Sequence, residues 1–488
     1  MMETTRTASV KRNYIYNLAY QLLTMMIPLI TAPYVARVLL PEGVGVFSYS
    51  RSVAQYFLLF GMQGINNYGS RSIAAIRENE SERNRRFSSM YYFQLLSTGS
   101  ALGLYLIYAL AVTRRYPQIA ACQIVYVLTG LLDVNWFFFG LEEFRRPVIG
   151  KSIIKLGATA LIFLTVRTPD HLGRYTLISA AGYMLGQAYM ILYLRHAVRL
   201  VRVPMREVLR HFRPCLLLFV PVLATSVYRM MDKVMLGLMS SYTQTGYYEN
   251  SEKLISVCLC VISALGTVML PRMSNLYAHH RKKDANAYLR KSMHVAMFFA
   301  CAIAFGIGAV VHEFIPIFYG AGYEPCVGLT RMLVFTVLPI SWANVIRTQY
   351  LIPCRKEKAY TCSVCAGAAV NLALNALLIG RFGARGAAAG TIAAEWTVCL
   401  LQSLLVRRKL KLRVFFTDNL FFVLAGAVMF AVVQLMRGLP LNRPVLLVLE
   451  IAAGALCYLS LSVFYWIKTK NPIAAGLWRR ICRRGGPA

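Results

Sequence analysis

Residues 292–312 read SMHVAMFFACAIAFGIGAVVH. No Asp, Glu, Lys or Arg interrupts them, and at about 1.5 Å of rise per residue a helix of this length crosses the ~30 Å hydrocarbon core of a bilayer. Lipid offers no partner to a backbone N–H or C=O, so a continuous apolar run of this length is a helix. The alternating ten-residue pattern of an outer-membrane barrel is absent. Working outward, similar runs recur at 13–39, 43–65, 87–111, 117–140, 148–166, 175–194, 214–239, 245–270, 327–351, 359–380, 386–406, 415–436 and 444–467. The expected fold is an all-α polytopic membrane protein with about 14 transmembrane helices.

The chain has 488 residues, 57% hydrophobic and only 15% charged, and its mean hydropathy is +0.52. Its 53 basic and 20 acidic residues give a net charge of +33. That charge alone suggests nucleic acid, but a soluble domain carries roughly 25% charged residues, and the spanning runs place the charge at a membrane. With the N-terminus set in the cytoplasm, about 37 of the 53 basic residues fall in cytoplasmic segments, about 8 in external loops and about 8 within spans. One miscounted helix would invert this bias downstream, so its steadiness supports the span count and cytoplasmic termini together. No nucleic-acid partner is expected. Arg6, Lys11 and Arg12 precede a run too long for a signal peptide, so an uncleaved first span is expected.

The 12 cysteines lie mostly in apolar runs, and the lone Cys362-Ser-Val-Cys365 lacks the further ligands of a zinc or redox site. No metal or cofactor is expected. No nucleophile elbow, Walker A or H-E-x-x-H motif is present. The residues therefore point to transport without bond chemistry, not to an enzyme.

An internal repeat is visible. Gly45-Val-Phe-Ser-Tyr-Ser-Arg51 follows the first outer turn, and Gly246-Tyr-Tyr-Glu-Asn-Ser-Glu252 follows the turn about 200 residues later. Trp136 to Arg145 and Gln349 to Glu357 repeat at a similar offset. An offset of six helices keeps the topology parallel. Two pseudo-symmetric six-helix lobes are expected, at 1–205 and 206–410, followed by two further helices and a basic cytoplasmic tail over 411–488. Such repeats suit alternating access around a site between lobes.

Charges inside spans cost roughly 2.5–3.5 kcal/mol each on insertion scales and mark cavities or partners. Arg51, Arg229, Lys233, Lys253, Arg331 and Arg347 are the candidates for a cationic cavity. Asp232, Glu249, Glu252 and Glu395 are the candidates for ion coupling. Asn13, Asn17 and Gln21 form an i, i+4, i+8 stripe, and Asn371 and Asn375 an i, i+4 pair, that line a cavity or join helices. The competing structural account pairs Glu249 with Lys253 and Arg229 with Asp232 along their own helices. Pro28 and Pro33 predict a kink in the first span.

Four blocks, RVLLPEGVGVFSYSRSVAQYFLLFGMQGINNYGSRSIAAIREN (37–79), NWFFFGLEEFR (135–145), VYRMMDKVMLGLMSSYTQTGYYENSEKLISV (227–257) and AAVNLALNALLIGRFGARGAAAGTIAAEW (368–396), resemble Wzx-type polysaccharide repeat-unit flippases. These belong to the multidrug/oligosaccharidyl-lipid/polysaccharide exporter superfamily. The resemblance covers nearly the whole chain. It implies a V-shaped fourteen-helix transporter in the bacterial cytoplasmic membrane that moves undecaprenyl-pyrophosphate-linked glycans for O-antigen, capsule or exopolysaccharide. It further implies H+ or Na+ coupling, with a polysaccharide polymerase and glycosyltransferases as assembly partners. An anionic pyrophosphate fits cavity arginines, and basic loops attract anionic membrane lipids. Three rivals remain: a peptidoglycan lipid-precursor flippase, a cation-coupled multidrug exporter, which the basic excess disfavours, and a non-transporting scaffold, which the intramembrane charges disfavour.

Overall fold

The structure is a computed structural model that describes residues 2–143 and 145–469. Among the described residues there are helices and connections but no strand. The first half of the chain forms α1 (Met2–Met62), α2 (Ile65–Ile76), α3 (Glu80–Ile107), α4 (Pro117–Leu132), α5 (Asn135–Gly140), α6 (Arg145–Thr165), α7 (Leu172–Ala197), α8 (Met205–Leu209), α9 (Phe212–Met239) and α10 (Tyr242–Ala278). The second half forms α11 (Lys282–Phe318), α12 (Pro325–Leu333), α13 (Val337–Ile346), α14 (Glu357–Phe382), α15 (Ala384–Val406), α16 (Leu412–Met436) and α17 (Arg443–Lys468).

Local sequence explains where these helices begin. Pro117 and Pro325 open α4 and α12, where a missing N–H costs nothing. Asn79 caps α3 by accepting the Glu82 N–H at 3.2 Å, and Glu80 and Glu82 place negative charge at the positive end of the helix dipole.

Twelve helical segments among the described residues are long and apolar enough to cross a membrane. Two places separate this number from the fourteen expected segments. Met26–Ile76 is a single continuous stretch that includes the expected second segment and the end of the first. The 28-residue α9, which carries Arg229, Asp232 and Lys233, lies outside the twelve. Within α1 the non-helical residue is Leu40, with φ 59° and ψ 170°. The break thus falls immediately before Pro41, not at Pro28 or Pro33. Proline's ring disfavours the helical conformation of the residue preceding it, and Leu40 is that residue.

The chain packs as two compact units, Met1–Glu249 with Asn375–Ala384, and Asn250–Leu374 with Arg385–Ala488. The cut follows packing and differs from the repeat-based division at 205 and 410. In unit 1, the aromatic block at 135–140 becomes the short helix α5. Trp136 is fully buried and stacks on Phe87 at 5.2 Å, and its indole N–H donates to Gln94 at 2.8 Å. The stretch expected as a cytoplasmic loop, 66–86, contains the amphipathic α2, which buries Ile65, Gly69 and Ile73. In unit 2, α11, α16 and α17 share a core that includes Met293, Met297, Phe422 and Tyr458.

The repeat glycines have a structural reason. A Cβ on Gly45 would lie 1.6 Å from the Tyr242 carbonyl oxygen, and one on Gly246 would lie 1.9 Å from the Pro41 carbonyl oxygen. Each glycine lets its own helix lie against the backbone at the start of the other's, a reciprocal close approach that no side chain permits.

Candidate functional site

Unit 1 collects charged residues from helices far apart in sequence. Past the Gly45 contact, α1 carries Ser48 and Arg51; α9 carries Asp232 and Lys233; the first turns of α10 carry Tyr248 and Glu249. Lys233 meets Glu249 across helices at 2.6 Å, and Ser48 donates to the same carboxylate at 2.9 Å. This pairing was not among the i, i+4 pairs expected along one helix. Asp232 is 3% exposed and accepts hydrogen bonds from Tyr248 Oη and Asn375 Nδ2, each at 2.5 Å. Asn375 belongs to the short part of α14 that packs in unit 1.

Arg51 is half-buried and lies over two tyrosine rings. Its guanidinium carbon is 3.1 Å from the Tyr126 centroid and 4.5 Å from that of Tyr183. Such cation–π contacts contribute about 0.5–2 kcal/mol each. A guanidinium that uses its faces this way keeps its in-plane N–H donors for an anion. Ser48, which donates to Glu249, stands three residues before Arg51 on α1, so the arginine lies about one helical turn from the Lys233–Glu249 pair. Arg229 is exposed on α9.

Unit 2 holds the other candidates in separate places. Arg331 donates from Nε to the Gly308 carbonyl of α11 at 3.2 Å, and one terminal nitrogen is buried without a hydrogen-bond partner. Arg347 opens a π-helical turn, Arg347–Leu351, and donates to Asn344 Oδ1 at 2.7 Å and Tyr360 Oη at 3.5 Å. Sixteen residues of nearly continuous helix separate the two arginines, about 24 Å along the axis, so they do not form one constellation. Glu252, Lys253 and Glu395 are half-buried, and Asn371 is buried. Asn371 and Asn375, expected as one stripe, fall in different packing units. The side chains of Asn13, Asn17 and Gln21 and the tail beyond residue 469 lie outside the described residues.

Three polar features had no sequence signal of comparable strength. The tyrosines around Arg51 and Asp232 count as apolar in a span, although a buried tyrosine hydroxyl needs a partner. Lys151, counted among loop cations, donates from Nζ to Asn135 and, at 3.0 Å, to Gln187. The Lys233–Glu249 pair joins two helices, and its geometry depends on how they pack. Among the described residues no group of His, Cys, Asp and Glu has the arrangement of a metal site.

Comparison with known proteins adds the following. Residues 10–277 match the family model described as polysaccharide biosynthesis protein. A protein of Escherichia coli (strain K12) named "Putative O-antigen transporter" is 22% identical over 413 residues, which is 83% of this chain and 98% of that protein. A protein of the same name from Shigella dysenteriae is 22% identical over 77% of this chain and 95% of its own length. Among solved structures, "Lipid II flippase MurJ, inward closed conformation" superposes with a TM-score of 0.73 at 15% identity, covering 94% of this chain and 99% of that one. An inward-facing multidrug resistance MATE family transporter of the MOP superfamily superposes with a TM-score of 0.58 at 11% identity, covering 80% of this chain and 94% of that one. At these identities the structural likeness is one of fold.

Proposed function

The chain belongs to the polysaccharide biosynthesis protein family, and from that premise we propose that it is a flippase for undecaprenyl-pyrophosphate-linked oligosaccharide repeat units, working by alternating access without bond chemistry. It is a multi-pass membrane protein, and the proposal places it in the bacterial cytoplasmic membrane with both termini inside. The observation that carries the reading is the cross-helix cluster of Arg51, Lys233, Glu249 and Asp232 in a chain otherwise built of apolar spans. An anionic pyrophosphate cannot shed its water in lipid without compensating charges. Arg51, braced on two tyrosine rings, supplies bidentate donors for it. Arg229 adds an exposed cation on α9, and Lys253, Arg331 and Arg347 are proposed as separate substrate-attracting cations of the second half of the chain, each acting singly. The apolar polyprenyl tail stays in the bilayer.

Asp232 is the first candidate for the coupling ion or proton, with Glu249, Glu252 and Glu395 behind it. It is buried and held by two neutral donors, not by a cation alone. The polar residues Asn13, Asn17, Gln21, Asn371 and Asn375 are proposed as further lining. The repeat supports lobes at 1–205 and 206–410, with two further helices and a basic tail over 411–488. The curated relatives favour a glycan over a drug as cargo, and the basic excess points the same way. The fold likeness to a lipid II flippase leaves the peptidoglycan-precursor reading as the nearest rival.

The test is flipping in proteoliposomes. The wild-type chain should expose a labelled pyrophosphate-linked oligosaccharide in the opposite leaflet. Arg51→Gln with Lys233→Gln should slow this by about 10- to 100-fold, the worth of one charge-assisted hydrogen bond. Wild-type flipping by that double variant would overturn the cavity assignment. Movement of lipid II at the same rate would move the protein to the rival reading.

A further inference from the structure

One cavity plays no part in this mechanism. At the basic end of unit 1, the α2–α3 junction, the end of α5 and the end of α7 border a half-open polar cleft of about 670 Å³, inside the ~300–1,000 Å³ range of ligand sites. Four arginines line it: Arg77, Arg83, Arg195 and Arg199. They come from two connections more than 100 residues apart in sequence, so the fold gathers them.

Their engagements differ. Arg77 pairs with Glu142 at 3.3 Å. Arg83 donates to the carbonyls of Arg77 at 2.9 Å and Ala197 at 3.4 Å, which caps the negative end of α7, and its Nε is buried without a hydrogen-bond partner. Arg195 and Arg199 are exposed and make no ion pair among the described residues. The backbone of Arg199 is fixed by its N–H to Asn84 Oδ1 at 3.1 Å, so this cation has an anchored base. Glu78, Glu80 and Glu143 line the same space, together with Phe138 and Tyr193.

This mixture selects a ligand class. A bare polyanion meets three carboxylates and is disfavoured. An apolar ligand leaves the charged walls unsatisfied. A phosphate group that also carries hydroxyls or an ammonium satisfies both sets, because arginine grips phosphate oxygens in pairs and carboxylates accept from the remaining donors. We propose that this cavity binds the phosphate-bearing headgroup of a lipid at the membrane surface, with Arg195 and Arg199 as its phosphate ligands. Two lipids present that chemistry, an ordinary anionic phospholipid and the pyrophosphate-linked glycan of the proposed transport; only the second source rests on the flippase reading.

The experiment uses the full chain in phosphatidylcholine nanodiscs with increasing phosphatidylglycerol, with retained lipid counted by native mass spectrometry and a short-chain prenyl-pyrophosphate-linked sugar as competitor. Arg195→Gln with Arg199→Gln should retain at least tenfold less phosphatidylglycerol at an unchanged melting temperature. Arg202→Gln, which removes an exposed arginine close in sequence that does not line the cavity, should retain it as wild type does and shows that the loss is specific to the two ligands. Displacement by that competitor at micromolar concentration assigns the cavity to the pyrophosphate lipid, and its absence assigns it to bulk phospholipid. Equal lipid retention by wild type and the double variant overturns the proposal. Because retention is read without any transport, a chain that binds but does not flip would count against the flippase reading alone.

Discussion

The charge cluster of unit 1 and two arginines of unit 2, Arg331 and Arg347, are held in opposite ways. In unit 1, side chains from α1, α9, α10 and the end of α14 meet one another: Ser48 and Lys233 at Glu249, Tyr248 and Asn375 at Asp232. In unit 2, Arg331 and Arg347 each satisfy themselves against a nearby carbonyl or amide, and each keeps one buried nitrogen unpartnered. A charge network tied across helices exists only while those helices hold one arrangement, whereas a charge bonded to its own surroundings survives their movement. A count of charged residues along the chain does not reveal this difference, because both units contribute arginines within apolar runs.

The most severe way to break the contrast is to remove what holds the unit 1 helices together. Gly45→Ala or Gly246→Ala drives a methyl group into a backbone carbonyl and should cost at least about 3 kcal/mol. Fluorescence-detected size-exclusion chromatography should show little monodisperse protein, and normal yields would contradict the close approach. Next comes the Arg51 and Lys233 double substitution described above, with transport lost and protein level kept. Tyr126→Leu should weaken transport less, by the ~0.5–2 kcal/mol of one cation–π contact. Arg331→Gln or Arg347→Gln should cost under ~1 kcal/mol, as for charges that act singly. An effect in unit 2 as large as that of Arg51→Gln would erase the contrast.

The smallest effect tests unit 1 outside its spans. His211, at the start of α9, is 4% exposed and lies between Tyr68 Oη at 3.1 Å and Ser89 Oγ at 2.8 Å. Burial, with help from the Arg86 charge, lowers its pKa to about 4 from the ordinary 6.5. The neutral ring is therefore the folded form. Its stabilisation is complete above pH 6.5 and is lost as pH falls toward 4, because the unfolded chain takes up the proton first. The melting temperature should drop by a few degrees across that window, and His211→Gln should flatten the profile without altering flipping at pH 7.

Much of this was legible in the residues. Apolar runs marked nearly every long helix, but the break before Pro41 was not read from the sequence, where Pro28 and Pro33 drew attention instead. Gly45 and Gly246 stood out as a repeat, although only packing explains why both must be glycine. Arg51, Asp232 and Lys233 were visible because a charge in a span is costly. Their partners were less visible. Tyr126, Tyr183 and Tyr248 blend into an apolar span, and the Lys233–Glu249 pair depends on how α9 and α10 lie against each other. The α2 helix was hidden because twelve residues with three buried positions look like loop in a span-length window.

The reciprocal glycine contact also has a consequence in time. Gly45 and Gly246 are about 200 residues apart, and ribosomes deliver roughly 5–20 residues per second. For about 10–40 s during synthesis, the membrane already holds the first glycine surface while its counterpart has not been made. The peptide groups along that glycine surface are bonded within their own helix, so what the delay leaves open is a shallow apolar notch. Lipid chains fill that notch until the later segment inserts and displaces them.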